Sequence, residues 1–218
     1  MGQVAAAEAL AGQTGTRAPH PKTSIEAVRL LQAGNKRYRK EKLQLRDYSP
    51  VGERVASEQK PFAAIVTCAD SRISPELVFD VERGNLLRLA NRRQQHRHRH
   101  PRQQQYAVAV LGVKLIVALG HSDCGAIDSA IEVVTNGKTY PASKYGAIGE
   151  VINDLLPTVE SPAPDERHVA RCVTANAISQ ADDLAGRDPI TKPAIAAGKL
   201  RVVAAVYNLA SGAVSVVR

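Results

Sequence analysis

The chain has 218 residues, 44% of them hydrophobic, which is length enough for one sizeable domain and too apolar for a disordered chain. The net charge of +8 raises a nucleic-acid partner, but Arg88, Arg92, Arg93, Arg97, Arg99 and Arg102 supply six of those eight charges within the acid-free segment Leu87–Gln105, so the basicity is local. Three cysteines make no disulfide framework, and no run of eighteen apolar residues offers a membrane-spanning helix.

Residues 1–23, rich in Ala, Gly and Thr, read as a flexible N-terminal extension ahead of a single domain over 24–218. They lack the basic start and compact apolar stretch of a secretory signal, so a cytoplasmic location is expected. Ser24–Lys40 predicts an amphipathic helix capped by Ser24, with Ile25, Val28, Leu31 and Tyr38 near helical spacing. After a polar stretch over 41–59, the apolar run Pro61–Thr67 reads as a buried strand, ending abruptly at Cys68-Ala69-Asp70-Ser71-Arg72. Ser74-Pro75-Glu76 opens a short helix through Phe79. Tyr106–Val113 looks helical, Lys114–Leu119 reads as a second strand, and Gly120-His121-Ser122-Asp123-Cys124-Gly125 leads into a helix over Ala126–Thr135. Glu166–Leu184 is helical, with Cys172 read as a small buried hydrophobe. Strands over Leu200–Tyr207 and Ala213–Val217, joined at Ala210-Ser211-Gly212, form a terminal hairpin. Buried strands alternating with helices predict an α/β fold with a mostly parallel central sheet flanked by helices. Sites in such sheets lie beyond the strands' carboxyl ends, where both polar clusters fall.

His121 and Cys124, three positions apart, and Cys68 at another strand end offer two thiolates and one nitrogen, a donor set suited to zinc with a fourth position open. Asp70 lies two residues beyond Cys68, and Arg72 two further on can hold it ionised through a bidentate pair. An ionised Asp70 can only accept hydrogen bonds, so it would accept one from a zinc-bound hydroxide and aim the oxygen lone pair at an electrophile. On spacing alone, a structural zinc site missing a ligand and buried residues in unrelated loops stay open.

The two motifs resemble those of the β-class carbonic anhydrases: Cys-x-Asp-Ser-Arg at 68–72 and His-x-x-Cys-Gly at 121–125. The flanks Gln59–Ala63, Pro75–Asp80, Tyr106–Val113 and Tyr207–Gly212 are similar too, so the likeness covers roughly Ser24–Val217. The resemblance implies one Zn2+ per subunit on Cys68, His121 and Cys124, with Asp70 and Arg72 as the catalytic pair and Asp70 as a fourth ligand in a closed form. It implies reversible hydration of carbon dioxide to bicarbonate and a proton. It also implies pocket positions at Gln59 (across a dimer interface), Leu87, Tyr106 and Gly125, a homodimer or tetramer, and an N-terminal helix packing on a partner subunit.

Leu87–Gln105 breaks the likeness. Its nineteen residues are drawn only from Leu, Arg, Ala, Asn, Gln, His and Pro, as a shifted reading frame of GC-rich DNA would produce. Paired compensating frame errors near Leu87 and Gln105 are one reading. The other is a real basic loop, in which arginines with His96, His98 and His100 contact anions, nucleic acid or a second metal. A zinc-binding homologue of impaired turnover is the corresponding alternative function. The segment lacks an aromatic residue to stack on bases, which speaks against nucleic acid.

Overall fold

The computed structural model describes residues 20–44, 58–90, 100–186 and 189–218. Most of the N-terminal extension, residues 91–99 of the basic segment, and with them His96 and His98, lie outside the described residues. The last residues of the extension are placed: the His20 ring meets Phe62 edge-on at 5.8 Å, and its Nε2 lies 2.6 Å from the Lys60 carbonyl.

In chain order the elements are α1 (Ser24–Arg39), β1 (Ala63–Thr67), α2 (Pro75–Val78), β2 (Leu86–Ala90), α3 (His100–Ala109), β3 (Leu115–His121), α4 (Gly125–Asn136), α5 (Ala142–Tyr145), α6 (Ile148–Asn153), α7 (Leu156–Glu160), α8 (Val169–Gly186), α9 (Thr191–Ala196), β4 (Arg201–Tyr207) and β5 (Val214–Val216). The strands form one sheet ordered β2-β1-β3-β4-β5, parallel from β2 to β4 and closed by the antiparallel β4–β5 hairpin. This is the mostly parallel α/β sheet that the sequence predicts.

Successive side chains of a strand point to opposite faces, and both faces here are covered. Ala63, Ile65, Leu115, Val117, Val203 and Ala205 pack with α1 and α2, while Ala64, Val66, Ile116, Ala118 and Ala204 pack against Ala107 of α3 and Ala177, Ala181 and Leu184 of α8. Double coverage is why β1 and β3 are continuous apolar runs rather than alternating ones.

Four expectations are corrected. The N-cap of α1 is Thr23, not Ser24: its Oγ1 accepts from the Glu26 amide at 3.2 Å, and the Thr23 amide donates to the Glu26 carboxylate at 3.4 Å, completing a capping box. The buried face of α1 is Ala27, Leu31, Gly34 and Asn35, whereas Ile25 is 53% exposed. The helix expected over Tyr106–Val113 starts earlier and ends at Ala109, because Gly112 turns at φ 64° and sends the Val113 amide back to the Ala107 carbonyl. β2 was not expected at all; it lies at the sheet edge, where exposed Arg88 pairs with Glu76.

The two ends of the basic segment thus belong to the folded body. Leu89 is buried on β2, and Gln104 of α3 is buried, its Nε2 donating to the Leu184 carbonyl at 2.6 Å and to Thr191 Oγ1 at 2.7 Å.

Candidate metal centre

β1 and β3 are neighbours at the centre of the sheet. The chain runs from β1 to β2 on one side and then returns to β3 on the other, so the crevice beyond their carboxyl ends is a topological switch point. Thr67 pairs with Leu119, which brings Cys68, the next residue, level with the end of β3. His121 is the last residue of β3 and pairs with Tyr207 of β4. Three residues on, Cys124 occupies the N-cap position of α4.

This arrangement gathers the Cys68 and Cys124 sulfurs and a His121 ring nitrogen, all within 4.8 Å of one another. Among the described residues no other group of His, Cys, Asp or Glu makes such a cluster, and Cys172 is not part of it. Cys172 is fully buried in the core formed by α4, α6, α7 and α8, as the sequence predicts.

The donors fit a zinc ion. His121 Nδ1 lies 2.9 Å from the Ser122 carbonyl, an oxygen that can only accept, so Nδ1 carries the proton and Nε2 keeps its lone pair. That Nε2 is buried and has no hydrogen-bond partner, an expensive state for a polar atom unless it ligates something. The thiols are prepared as well. A hydrogen bond from Cys68, helped by the Ile127 amide at the start of α4, lowers the Cys124 pKa to about 4. The same bond, with burial, pushes the Cys68 thiol up.

Asp70 and Arg72 stand beside the cluster. Arg72 Nε donates to Asp70 Oδ1 at 2.9 Å and Nη2 donates to Oδ2 at 2.7 Å. The Arg72 amide adds a third bond to Oδ1 at 2.9 Å. These bonds hold the Asp70 carboxyl well below the usual carboxylate range. Asp70 Oδ2 is 4.0 Å from His121 Nε2, so the carboxylate overlooks the atoms that would hold the metal.

The expected pocket positions are more dispersed. Gly125 is the first residue of α4, exposed, and a Cβ there would meet nothing within 4 Å. Leu87 is half-buried against the α3 and α8 side of the sheet and pairs with Ala64, three registers before the end of β1. Tyr106 on α3 is 53% exposed, and Gln59 is exposed ahead of β1. Two further residues, Ser122 and Asp123, sit between His121 and Cys124. Ser122 receives the Leu209 amide on its Oγ at 3.1 Å, and Asp123 adopts a left-handed backbone at φ 53°.

The family model described as carbonic anhydrase matches residues 63–214. Carbonic anhydrase 2 of Mycobacterium tuberculosis is 32% identical over 167 residues, covering 72% of this chain and 75% of that protein. The carbonic anhydrase of Pseudomonas aeruginosa is 29% identical over 164 residues, covering 72% and 74%. Among solved structures, a Coccomyxa β-carbonic anhydrase in complex with acetazolamide superposes with a TM-score of 0.63 at 22% identity, covering 88% of this chain and 84% of that one. Tetrameric β-carbonic anhydrase from Sordaria macrospora gives 0.62 at 20% identity, covering 88% and 93%. The chain belongs to the carbonic anhydrase family and has the fold of its β-class members.

Proposed function

We propose that this protein is a zinc-dependent carbonic anhydrase that converts carbon dioxide and water to bicarbonate and a proton, reversibly. The observation that carries the reading is the three-donor cluster of Cys68, His121 and Cys124 with an ion-paired Asp70 beside it. A structural zinc site would need a fourth protein donor and would have no use for the Asp70–Arg72 pair.

Cys68, His121 and Cys124 would hold the zinc, one ion per subunit. When bound, zinc supplies a Lewis acid that makes a water molecule acidic. Two thiolates balance the charge of the ion, so the nucleophile gains little from net positive charge and depends on its orientation. Asp70 provides that orientation. Held ionised by Arg72, its carboxylate accepts a hydrogen bond from the remaining O–H of the oxygen nucleophile and turns a lone pair toward carbon dioxide. The same acceptor-only carboxylate disfavours anions that have no proton to give. In a closed form Asp70 would leave Arg72 and take the fourth ligand position itself.

Gln59, Leu87, Tyr106 and Gly125 complete the pocket in this reading, Gln59 from across a dimer interface. Support for a partner copy comes from the tetrameric β-carbonic anhydrases of Sordaria macrospora, which share the fold. The assembly is a homodimer or a pair of them, with α1 against the partner, in the cytoplasm. No described helix is long and apolar enough to cross a membrane.

The test is the carbon dioxide hydration rate of the zinc-loaded protein at mildly alkaline pH, beside a Cys68→Ser control. Hydration that vanishes in the control supports the reading. A full zinc content without turnover would favour a zinc-binding homologue that is catalytically silent.

A further inference from the structure

Asp123 lies between His121 and Cys124, and its backbone is in the left-handed region at φ 53°. Few residues with a Cβ adopt that conformation, although aspartate tolerates it better than most. The turn is fastened from the far end of the chain. The Ser122 amide donates to the Tyr207 carbonyl at 2.9 Å, and the Leu209 amide donates to Ser122 Oγ at 3.1 Å. Ser122 Oγ in turn donates to Asp123 Oδ2 at 2.9 Å. The terminal hairpin thereby fixes the Ser122 hydroxyl, and that hydroxyl fixes the side chain of the left-handed residue.

The Asp123 peptide carbonyl faces Arg72, whose Nη2 donates to it at 3.4 Å while also donating to Asp70 Oδ2 at 2.7 Å. One guanidinium nitrogen therefore bridges the His121–Cys124 turn and the carboxylate. Accepting the zinc-site reading above, we propose that Asp123 is a positioning residue: its left-handed backbone, pinned by Ser122, presents the carbonyl that seats Arg72 and, through it, Asp70. The function resides in the backbone, since the group that touches Arg72 is the carbonyl. Glycine, which adopts positive φ freely, should therefore preserve the arrangement, and alanine should not.

The experiment compares wild type, Asp123→Ala and Asp123→Gly as full chains in the cobalt(II)-substituted form. Each is titrated with acetazolamide, whose ionised sulfonamide nitrogen keeps one N–H to donate to Asp70, while the visible d–d absorption of the bound cobalt is followed; hydration rates are measured on the zinc forms. In Asp123→Ala the loosened Arg72 frees Asp70 to compete for the open metal position. Acetazolamide affinity and kcat/KM should each fall about tenfold, the scale on which changes behind a metal's direct ligands act, with cobalt stoichiometry retained. Asp123→Gly should recover most of both losses. Should Asp123→Ala fail to fold, Ser122→Ala takes its place and Ser122→Thr is the rescuing variant. Alanine and glycine variants that behave alike, both intact or both impaired, overturn the proposal. A wild-type protein without hydration activity would sink the functional reading but not this comparison, because the acetazolamide titration needs only bound cobalt.

Discussion

Arg72 meets Asp70 through both arms of its guanidinium fork, Nε to Oδ1 at 2.9 Å and Nη2 to Oδ2 at 2.7 Å. Only arginine can make that two-point contact; lysine offers a point charge on a flexible stem. Arg72→Ala should lower kcat/KM by roughly 100-fold, the lower end of what a positioned proton-handling group contributes, and Arg72→Lys should fall between it and wild type. The sign of the pH effect follows from the pair. Arg72 depresses the Asp70 pKa, so the working carboxylate is present above that pKa and lost as pH falls through it. Without Arg72 the pKa returns upward, and the acid loss moves to higher pH. NMR titration of the aspartate carboxyls in the two proteins checks the shift directly, and an unmoved Asp70 would refute the pairing.

Removing a direct ligand should be more severe than any change behind it. Cys68→Ser and His121→Ala should each weaken zinc by more than the roughly 10–100-fold typical of outer positions. Cys172→Ser should leave one zinc per chain, because Cys172 lies outside the three-donor cluster. Metal content by mass spectrometry after dialysis against a chelator separates the two cases. Zinc lost from Cys172→Ser would revive a structural four-ligand site.

The three-donor cluster was legible in the sequence because each apolar run stops at a polar cluster, and a strand buried on both faces has few other ways to end. Cys68, His121 and Cys124 converge because β1 and β3 are adjacent and in register. β2 was illegible for the opposite reason. It lies at the sheet edge, where one side chain can face solvent, and Arg88 interrupts the apolar pattern there while pairing with Glu76. The start of α3 was hidden by polar residues, of which Gln104 is buried only because Leu184 and Thr191 supply its partners from distant helices. The role of the Ser122–Asp123 pair depends on a backbone sign and on Leu209, neither of which has a local sequence pattern.

The docking of α1 depends on a missing side chain. A Cβ at Gly34 would lie 1.7 Å from the Phe79 carbonyl oxygen, a backbone atom that cannot swing aside. Gly34→Ala gains helix propensity, about 1 kcal/mol in its favour. The collision should outweigh it, since overpacking costs about 1–3 kcal/mol and more where backbone must move. Urea denaturation should show a net loss of stability, with a midpoint below wild type. A raised midpoint would mean that α1 does not seat on Phe79.

Tyr207 gives an alkaline test of the hairpin end of the site. Its ring is 2% exposed, and its hydroxyl lies 3.1 Å from that of Tyr38. Burial, reinforced by that contact, pushes its pKa up to about 12. The folded state therefore holds the phenol proton more tightly than the unfolded chain, whose tyrosines titrate near 10. The resulting stability is fully present below about pH 10 and is lost as pH rises toward about 12. At 1.36 kcal/mol per pKa unit the effect is on the order of 2–3 kcal/mol. Tyr207→Phe cannot ionise, so it should be less stable than wild type at pH 8, having lost the Tyr38 hydroxyl contact, yet lose less stability between about pH 10 and about 12. Denaturant melts of both proteins across that window decide it. Parallel declines would place the alkaline sensitivity elsewhere, and equal stability at pH 8 would leave the Tyr38–Tyr207 contact without thermodynamic weight.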